Sequence, residues 1–295
     1  MKQSQVSYII PYRKSTEDRD RNLSLALKWI SINFPHYEVI IVELDTETKI
    51  NKSLLTPDIK HVFHTYQGIF NRALARNIGA LNASNDIFVF ADNDVIMEPE
   101  KFNMGVEMCC KEYDAIHPFL NCIDITEEDM ALIENSEAAQ SMFYSIYALE
   151  KDTGSLREAM PFAGACLIIK RKPFWKIGGW PEEFIGWGGE DNIMSYKIDR
   201  FLSKKWFPNS IYHLPHKRSE FDWYNHPEYQ KNYAKMQDIV ELTDDKLVEY
   251  CKNSRTKLMS FPLTAVRKEE KEEILSCSLP IKKERQRSSD FTFLT

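Results

Sequence analysis

No stretch of about 18 apolar residues occurs in this 295-residue chain, so no membrane-spanning helix is expected. The opening MKQSQVSYIIPYRKS lacks an apolar core long enough for a secretory signal, because its short apolar run ends at Pro11. The six cysteines (Cys109, Cys110, Cys122, Cys166, Cys251 and Cys277) form no CxxC pair and no regular ladder, so reduced thiols are expected. There is no excess of positive charge either. A net charge of -6 argues against a general nucleic-acid coat protein, although it leaves room for an enzyme with one basic groove. No internal repeat is found. Together these absences predict a cytoplasmic protein.

What is present is ordinary for a folded enzyme. A hydrophobic fraction of 43% with 12% aromatics is enough for a real core, and the length allows one large domain or two smaller ones. Residues 5–10 read as a short buried strand closed by Pro11, and residues 19–34 as a helix with Leu23, Leu27 and Ile30 at helical spacing. Residues 37–44 form a second strand, 61–66 a third and 86–91 a fourth, with a helix over 70–81. Strands alternating with helices predict a doubly wound, parallel α/β sheet with ligands at the carboxyl ends of its strands. Beyond residue 100 the pattern changes. Residues 127–151 read as a long polar helix, 162–170 as a strand, 190–201 as a helix, 210–213 as a last strand and 228–252 as two helices. The chain from about 266 to 295 reads as a loosely held, charged tail.

Three constellations carry chemistry. Asp92-Asn93-Asp94 follows an apolar strand directly, and two carboxylates there are costly unless a positive group joins them. A hard divalent cation carrying a diphosphate is one such group, and a capped strand-to-helix loop is the alternative. Five of the ten glycines and three of the six tryptophans fall between Trp175 and Gly189. Within this stretch, Gly186-Trp187-Gly188-Gly189-Glu190-Asp191 combines backbone freedom, a flat apolar face suited to a sugar ring and two acids at a helix start. One of these acids can take a proton, and the helix dipole is expected to keep them ionised at neutral pH. An acidic helix start without further role is the alternative. Finally, His213 and His216 lie three apart beside Lys217 and Arg218. One of them can complete a metal site begun by Asp94, and the basic residues suit phosphate.

In this order the features resemble glycosyltransferases of the GT-A fold, above all the β-1,4-galactosyltransferase group and the bacterial chondroitin-polymerase type. Ile9-Ile10-Pro11-Tyr12-Arg13 is similar to the family's nucleotide-binding opening, and Val42-Glu43 to the acid-bearing end of its second strand. Phe70-Asn71-Arg72-Ala73 with Arg76-Asn77-Ile78-Gly79 resembles its FNRA and NxG segment. Asp92-Asn93-Asp94 matches its DxD motif, and Phe162-Ala163-Gly164-Ala165 resembles the strand before its acceptor site. The stretch from Ile177-Gly178-Gly179-Trp180-Pro181 through Asp191 resembles its most specific signature. Asn192 departs from the further acid of the galactosyltransferases, residues 103–160 match nothing in the family, and the lack of the membrane anchor of its secretory enzymes implies a bacterial, phage or viral cytosolic protein.

The resemblance implies a Rossmann-like, mostly parallel central sheet flanked by helices, with a helical C-terminal extension. It implies a catalytic domain over residues 1–220, with a nucleotide-sugar half to about residue 100 and an acceptor half after it, then a helical extension over 221–265. Pro11, Tyr12, Arg13, Glu43 and Arg72 would hold the nucleoside and its phosphates, with Asp92 and Asp94. Asp94 and His216 would ligate Mn²⁺ or Mg²⁺, with Asp92 and His213 as lesser candidates. Trp187, Gly188, Gly189 and Glu190 would position the sugar or the acceptor, and Asp191 would be the general base. The implied activity is metal-dependent, inverting transfer from a UDP-sugar to a hydroxyl of a glycan or other acceptor. Three other readings stand beside it. One is an enzyme acting on hydroxymethylated DNA bases, which the basic residues Lys282, Lys283, Arg285 and Arg287 permit and the net charge opposes. The others are a non-catalytic nucleotide-sugar-binding module and an α/β nucleotidyltransferase.

Overall fold

A computed structural model describes residues 6–134, 155–157, 161–217, 225–261, 266 and 268–279. Its first strand, β1 (Val6–Tyr12), is buried along its whole length. A strand covered on both faces has no polar alternation, as befits the middle of a parallel sheet. β2 (Glu38–Asp45) and β4 (Ile87–Ala91) flank β1 and run parallel to it, and β3 (Ile59–Thr65) extends the sheet beyond β2. Pro11 does not close the strand. It pairs in register with Val42, whereas pairing with β4 stops at Ile9, so the proline lies where β1 has a neighbour on one side only.

The sheet continues on the other side of β4 through β9 (Cys166–Lys170), β6 (Ala115–His117) and β10 (Lys204–Trp206), in the order β10-β6-β9-β4-β1-β2-β3. β9 is antiparallel to both of its neighbours, which makes the sheet mostly parallel, as expected. On one face Tyr8, Ile10 and Tyr12 pack with α1 (Glu17–Asn33) and α3 (Pro99–Lys111). On the other, Ile9, Ile40 and Val42 pack with α2 (Arg72–Asn82), α5 (Arg171–Lys176) and α6 (Glu190–Phe201). Each such side chain contributes about 1.5–3 kcal/mol by leaving water. α2 lies so close to the sheet that a Cβ at Gly79 would fall 2.3 Å from Cγ2 of Ile9.

A second sheet, β5-β11-β7-β8, is built from β5 (Val95–Met97), β7 (Asn121–Asp124), β8 (Ser155–Arg157) and β11 (Ser210–His213). The sequence pattern finds only β11 of these, and it misses β6 and β10 of the main sheet. Strands of three or four residues are too short to display a period of two. The strand expected over 162–170 begins only at Cys166, because residues 161–165 form a turn in which Ala165 has φ 54°. α4 (Glu127–Glu134) occupies the start of the helix expected over 127–151, and the remainder of that span lies outside the described residues.

α7 (Pro227–Val240) and α8 (Asp244–Met259) are not a separate body, since Met236, Leu247, Cys251 and Leu258 join the second core layer. Within the stretch expected to be a loose tail, α9 (Lys268–Ser276) buries Ile274. It also pairs Glu270 with the buried Arg171 and Glu273 with Lys172. Among the described residues no helix is long and apolar enough to cross a membrane.

Candidate active site

The second sheet builds one half of the site. β11 pairs antiparallel with β5, setting His213 opposite Val95, and the next residue outward is Asp94, whose carbonyl accepts from the Leu214 amide at 2.8 Å. Nε2 of His216 lies 3.2 Å from Oδ2 of Asp94 and Nε2 of His213 lies 3.8 Å from it. One ligand atom from each of the three residues falls within 4.8 Å of the others.

The ring tautomers follow from their other partners. Nδ1 of His213 lies 2.7 Å from a carboxylate oxygen of Asp124, and Nδ1 of His216 lies 3.1 Å from the Lys217 carbonyl. Both acceptors require a proton on Nδ1, so a neutral ring turns a lone pair at Nε2 towards Asp94. Three electron-rich atoms thus converge, and a divalent cation satisfies all of them. A carboxylate with two imidazoles suits Mn²⁺ better than the all-oxygen preference of Mg²⁺. Burial alone would push Asp94 up. Where Nε2 of His216 carries a proton instead of facing a cation, its hydrogen bond, with His213 and Arg19, holds Asp94 well below the usual carboxylate range. Arg19 of α1 also donates to Asp94. Asp92 is not a member of this trio.

Asp92 belongs to the other half. Its amide donates to the Ala165 carbonyl at 2.9 Å, and its Oδ1 accepts from Nη2 of Arg76 at 3.0 Å. Nη1 of the same guanidinium lies 2.8 Å from Oδ1 of Asp191. Arg72, one turn earlier on α2, reaches Oε1 of the buried Glu190 at 3.3 Å. The Gly186-Trp187-Gly188-Gly189 segment sets the start of α6. Gly189 caps the helix at φ 96°, and a Cβ there would fall 2.3 Å from the Phe184 ring. Trp187 stacks on Tyr229 of α7 with ring centroids 5.3 Å apart, and Asn232 donates to the carbonyls of Ile185 and Trp187.

The dipole of α6 does not dominate its acids. Burial, with the Glu190 and Asp92 charges, raises Asp191 to about 7 against the pull of Arg76 and Arg72. The expectation of two carboxylates ionised at neutral pH is therefore corrected for Asp191, because the low-dielectric surroundings outweigh a helix terminus. Its side chain keeps 21% of its surface open, so a small acceptor group can reach it.

The residues expected at the nucleotide lie at the carboxyl ends of β1 and β2. Pro11 and Tyr12 are buried, and the Tyr12 hydroxyl donates to Asp20. Arg13 donates to the carbonyls of Leu44 (2.5 Å) and Gly68 (2.7 Å) and lies over the rings of Tyr66 and Phe70. Glu43 uses both oxygens on the chain itself. It accepts from the Lys49 and Ile50 amides and the Thr48 hydroxyl, with His61 at 3.0 Å. Arg218 lies outside the described residues.

Sequence reasoning gave no role to Asp124, Arg19, Arg76, Tyr229 or Asn232. Arg76 stood inside a quoted motif, and its spacing of four from Arg72 on a helix was the available signal. Arg19, Tyr229 and Asn232 lie in segments legible only as helices, and Asp124 lies in a stretch without any pattern. Two motif asparagines also gain a role. Asn71 caps α2 and donates to the Glu182 carbonyl, while Asn77 exchanges hydrogen bonds with the backbone of Trp180.

Known proteins resemble this chain in sequence and in fold. A family model described as glycosyltransferase like family 2 matches residues 7–203. Validoxylamine A glucosyltransferases from Streptomyces hygroscopicus subsp. jinggangensis and subsp. limoneus are 28% identical over 162 residues. The alignments cover 48% of this chain but only 37% and 35% of those proteins. N-acetylgalactosaminyltransferase 6 of Drosophila melanogaster is 30% identical over 140 residues, covering 42% of this chain and 20% of that one. The crystal structure of GalNAc-T7 with UDP, GalNAc and Mn²⁺ covers 94% of this chain and 55% of that chain, with a TM-score of 0.53 and 16% identity. At that identity the likeness carries the GT-A fold and nothing further.

Proposed function

The chain belongs to glycosyltransferase like family 2, and from that membership we propose that it moves a sugar from a nucleotide sugar, UDP-linked, to a hydroxyl of a glycan or similar acceptor. The observation that carries this reading is the pairing of two half-sites across the end of β4, which supplies Asp94 to one and Asp92 to the other. One is the convergent trio of Asp94, His213 and His216. The other is Asp191, raised to about 7 and tied through Arg76 to Asp92.

The residues divide the work as follows. Asp94, His213 and His216 would hold a divalent cation, Mn²⁺ by preference, which would supply Lewis-acid charge neutralisation to the departing diphosphate. Arg13 and Arg72 meet the nucleotide's phosphates, and Glu43 acts through the loop of residues 46–51 that it holds. Trp187, stacked on Tyr229, positions the sugar or the acceptor. Asp191 takes the proton from the acceptor hydroxyl while that oxygen bonds to the anomeric carbon and the bond to the diphosphate oxygen breaks, the pair of electrons leaving with the diphosphate. One displacement with one base gives inversion, by the one-step logic of inverting glycosidases. The relation to the β-1,4-galactosyltransferase and chondroitin-polymerase groups rests on the same motifs.

The test is a panel of nucleotide sugars, each assayed for release of the nucleoside diphosphate with Mn²⁺ and with EDTA. UDP-sugar turnover that EDTA stops is expected. Asp94→Ala should abolish turnover and remove the Mn²⁺-dependent rise in melting temperature that UDP gives, a rise that grows with ligand concentration. Unchanged turnover in EDTA would overturn the metal role.

A further inference from the structure

We propose that Arg76 is the positioning residue that sets the acceptor-side base against the donor-side motif, holding Asp191 and Asp92 on one guanidinium. This inference rests on the reading of Asp191 as the base. The two carboxylates come from separate elements, the end of β4 and the first turn of α6. Arg76 spans them with two nitrogens of one planar fork, at 2.8 Å and 3.0 Å. A fork contact fixes direction as well as distance, so Oδ1 of Asp191 is committed to Arg76 and Oδ2 is left for the acceptor.

The arginine is itself held. It is 1% exposed, and its guanidinium lies over the Trp180 ring at 4.2 Å. Trp180 is locked in turn by Asn77, which accepts from the Trp180 amide at 2.8 Å and donates to its carbonyl at 2.9 Å. Asn77 and Arg76 are neighbours on α2, so one helical turn sets both the ring and the cation above it. Arg72 and Arg76, four apart, present the same face of α2 to Glu190 and Asp191, which makes a two-rung ladder between α2 and the start of α6. A buried cation with two anionic partners is costly to build for structure alone. Here both partners are the acids that the reaction needs aimed. The role is one of aim: a base misplaced by about 1 Å can cost 10²-fold in rate.

The experiment is a double-mutant cycle of Arg76→Lys with Asp191→Asn. Lysine keeps the charge but cannot present the fork. Arg76→Lys should lower kcat by about 10- to 100-fold, while the affinity for UDP with Mn²⁺, read by calorimetry, stays within about twofold. In the Asp191→Asn background the same change should cost less than about threefold, because residues acting as one unit are non-additive. Trp180→Phe, which keeps an aromatic face under the cation, should show a smaller loss of the same kind, and it decides the matter if Arg76→Lys does not fold. Equal losses in both backgrounds would overturn the positioning role and leave the base intact. A matching loss of UDP affinity would move Arg76 to the donor and overturn it too. Near wild-type turnover of Asp191→Asn by itself would instead overturn the base reading on which the inference rests.

Discussion

Asp124 and His213 are register partners on β7 and β11, and Oδ1 of Asp124 lies 2.7 Å from Nδ1 of the His213 ring. The contact fixes the ring's tautomer and points Nε2 towards Asp94. Partners of this kind typically contribute 10- to 100-fold in metal affinity. Asp124→Ala is expected to weaken Mn²⁺ binding by about that factor, measured by calorimetry. Binding as tight as wild type would remove His213 from the ligand set.

Asp191 should leave its mark on the pH profile. Burial raises it to about 7, so below that pH it carries a proton and cannot take another. The value of kcat/KM, which reports the free enzyme, should therefore fall about tenfold per unit below pH 7 and level off above it. Asp191→Asn should lower kcat by about 10²–10⁴-fold and leave UDP affinity nearly unchanged. A profile flat from pH 5 to 8 would contradict the assignment.

Gly189 combines a left-handed φ of 96° with a ring where its Cβ would stand. Gly189→Ala is expected to cost about 1–3 kcal/mol of stability in a denaturant titration, and to depress kcat, because the start of α6 carries Glu190 and Asp191. A variant with unaltered midpoint and turnover would show that the segment tolerates a shift of Phe184.

α9 offers a paired comparison. Glu270 meets Arg171, whose side chain is 8% exposed, and one of these contacts spans 3.3 Å. Glu270→Gln should destabilise the protein by about 1–3 kcal/mol, the cost of leaving a buried charge poorly partnered. Glu273→Gln breaks only the exposed pair with Lys172 and should leave the unfolding midpoint unchanged. Equal midpoints for the two variants would mean that the Glu270–Arg171 pair adds nothing to stability.

The legible parts of the sequence are those whose physics is local. A strand covered on both faces lacks polar alternation, so β1, β2 and β4 announce themselves through apolar runs such as Val39-Ile40-Ile41-Val42. Gly186, Gly188 and Gly189 take positive φ values, which glycine adopts without steric cost, so their clustering beside Trp187 was visible as a demand of the backbone. The short strands of the second sheet carry no such signal. Asp124, one of their residues, looks in sequence like any surface acid.

The sequence by itself determined the α/β layering, the order of the three motifs and the identity of the acids at the strand ends and at the start of α6, because chain neighbours enforce these. Only the tertiary structure decided the surroundings and the charge state of each acid. Asp94 meets His213 and His216 from more than a hundred residues away and is held low, whereas Asp191 is buried against Arg76 and rises to about 7. The charge state of a carboxylate depends on how much water it loses and which charges arrive beside it, and both are settled when distant segments pack.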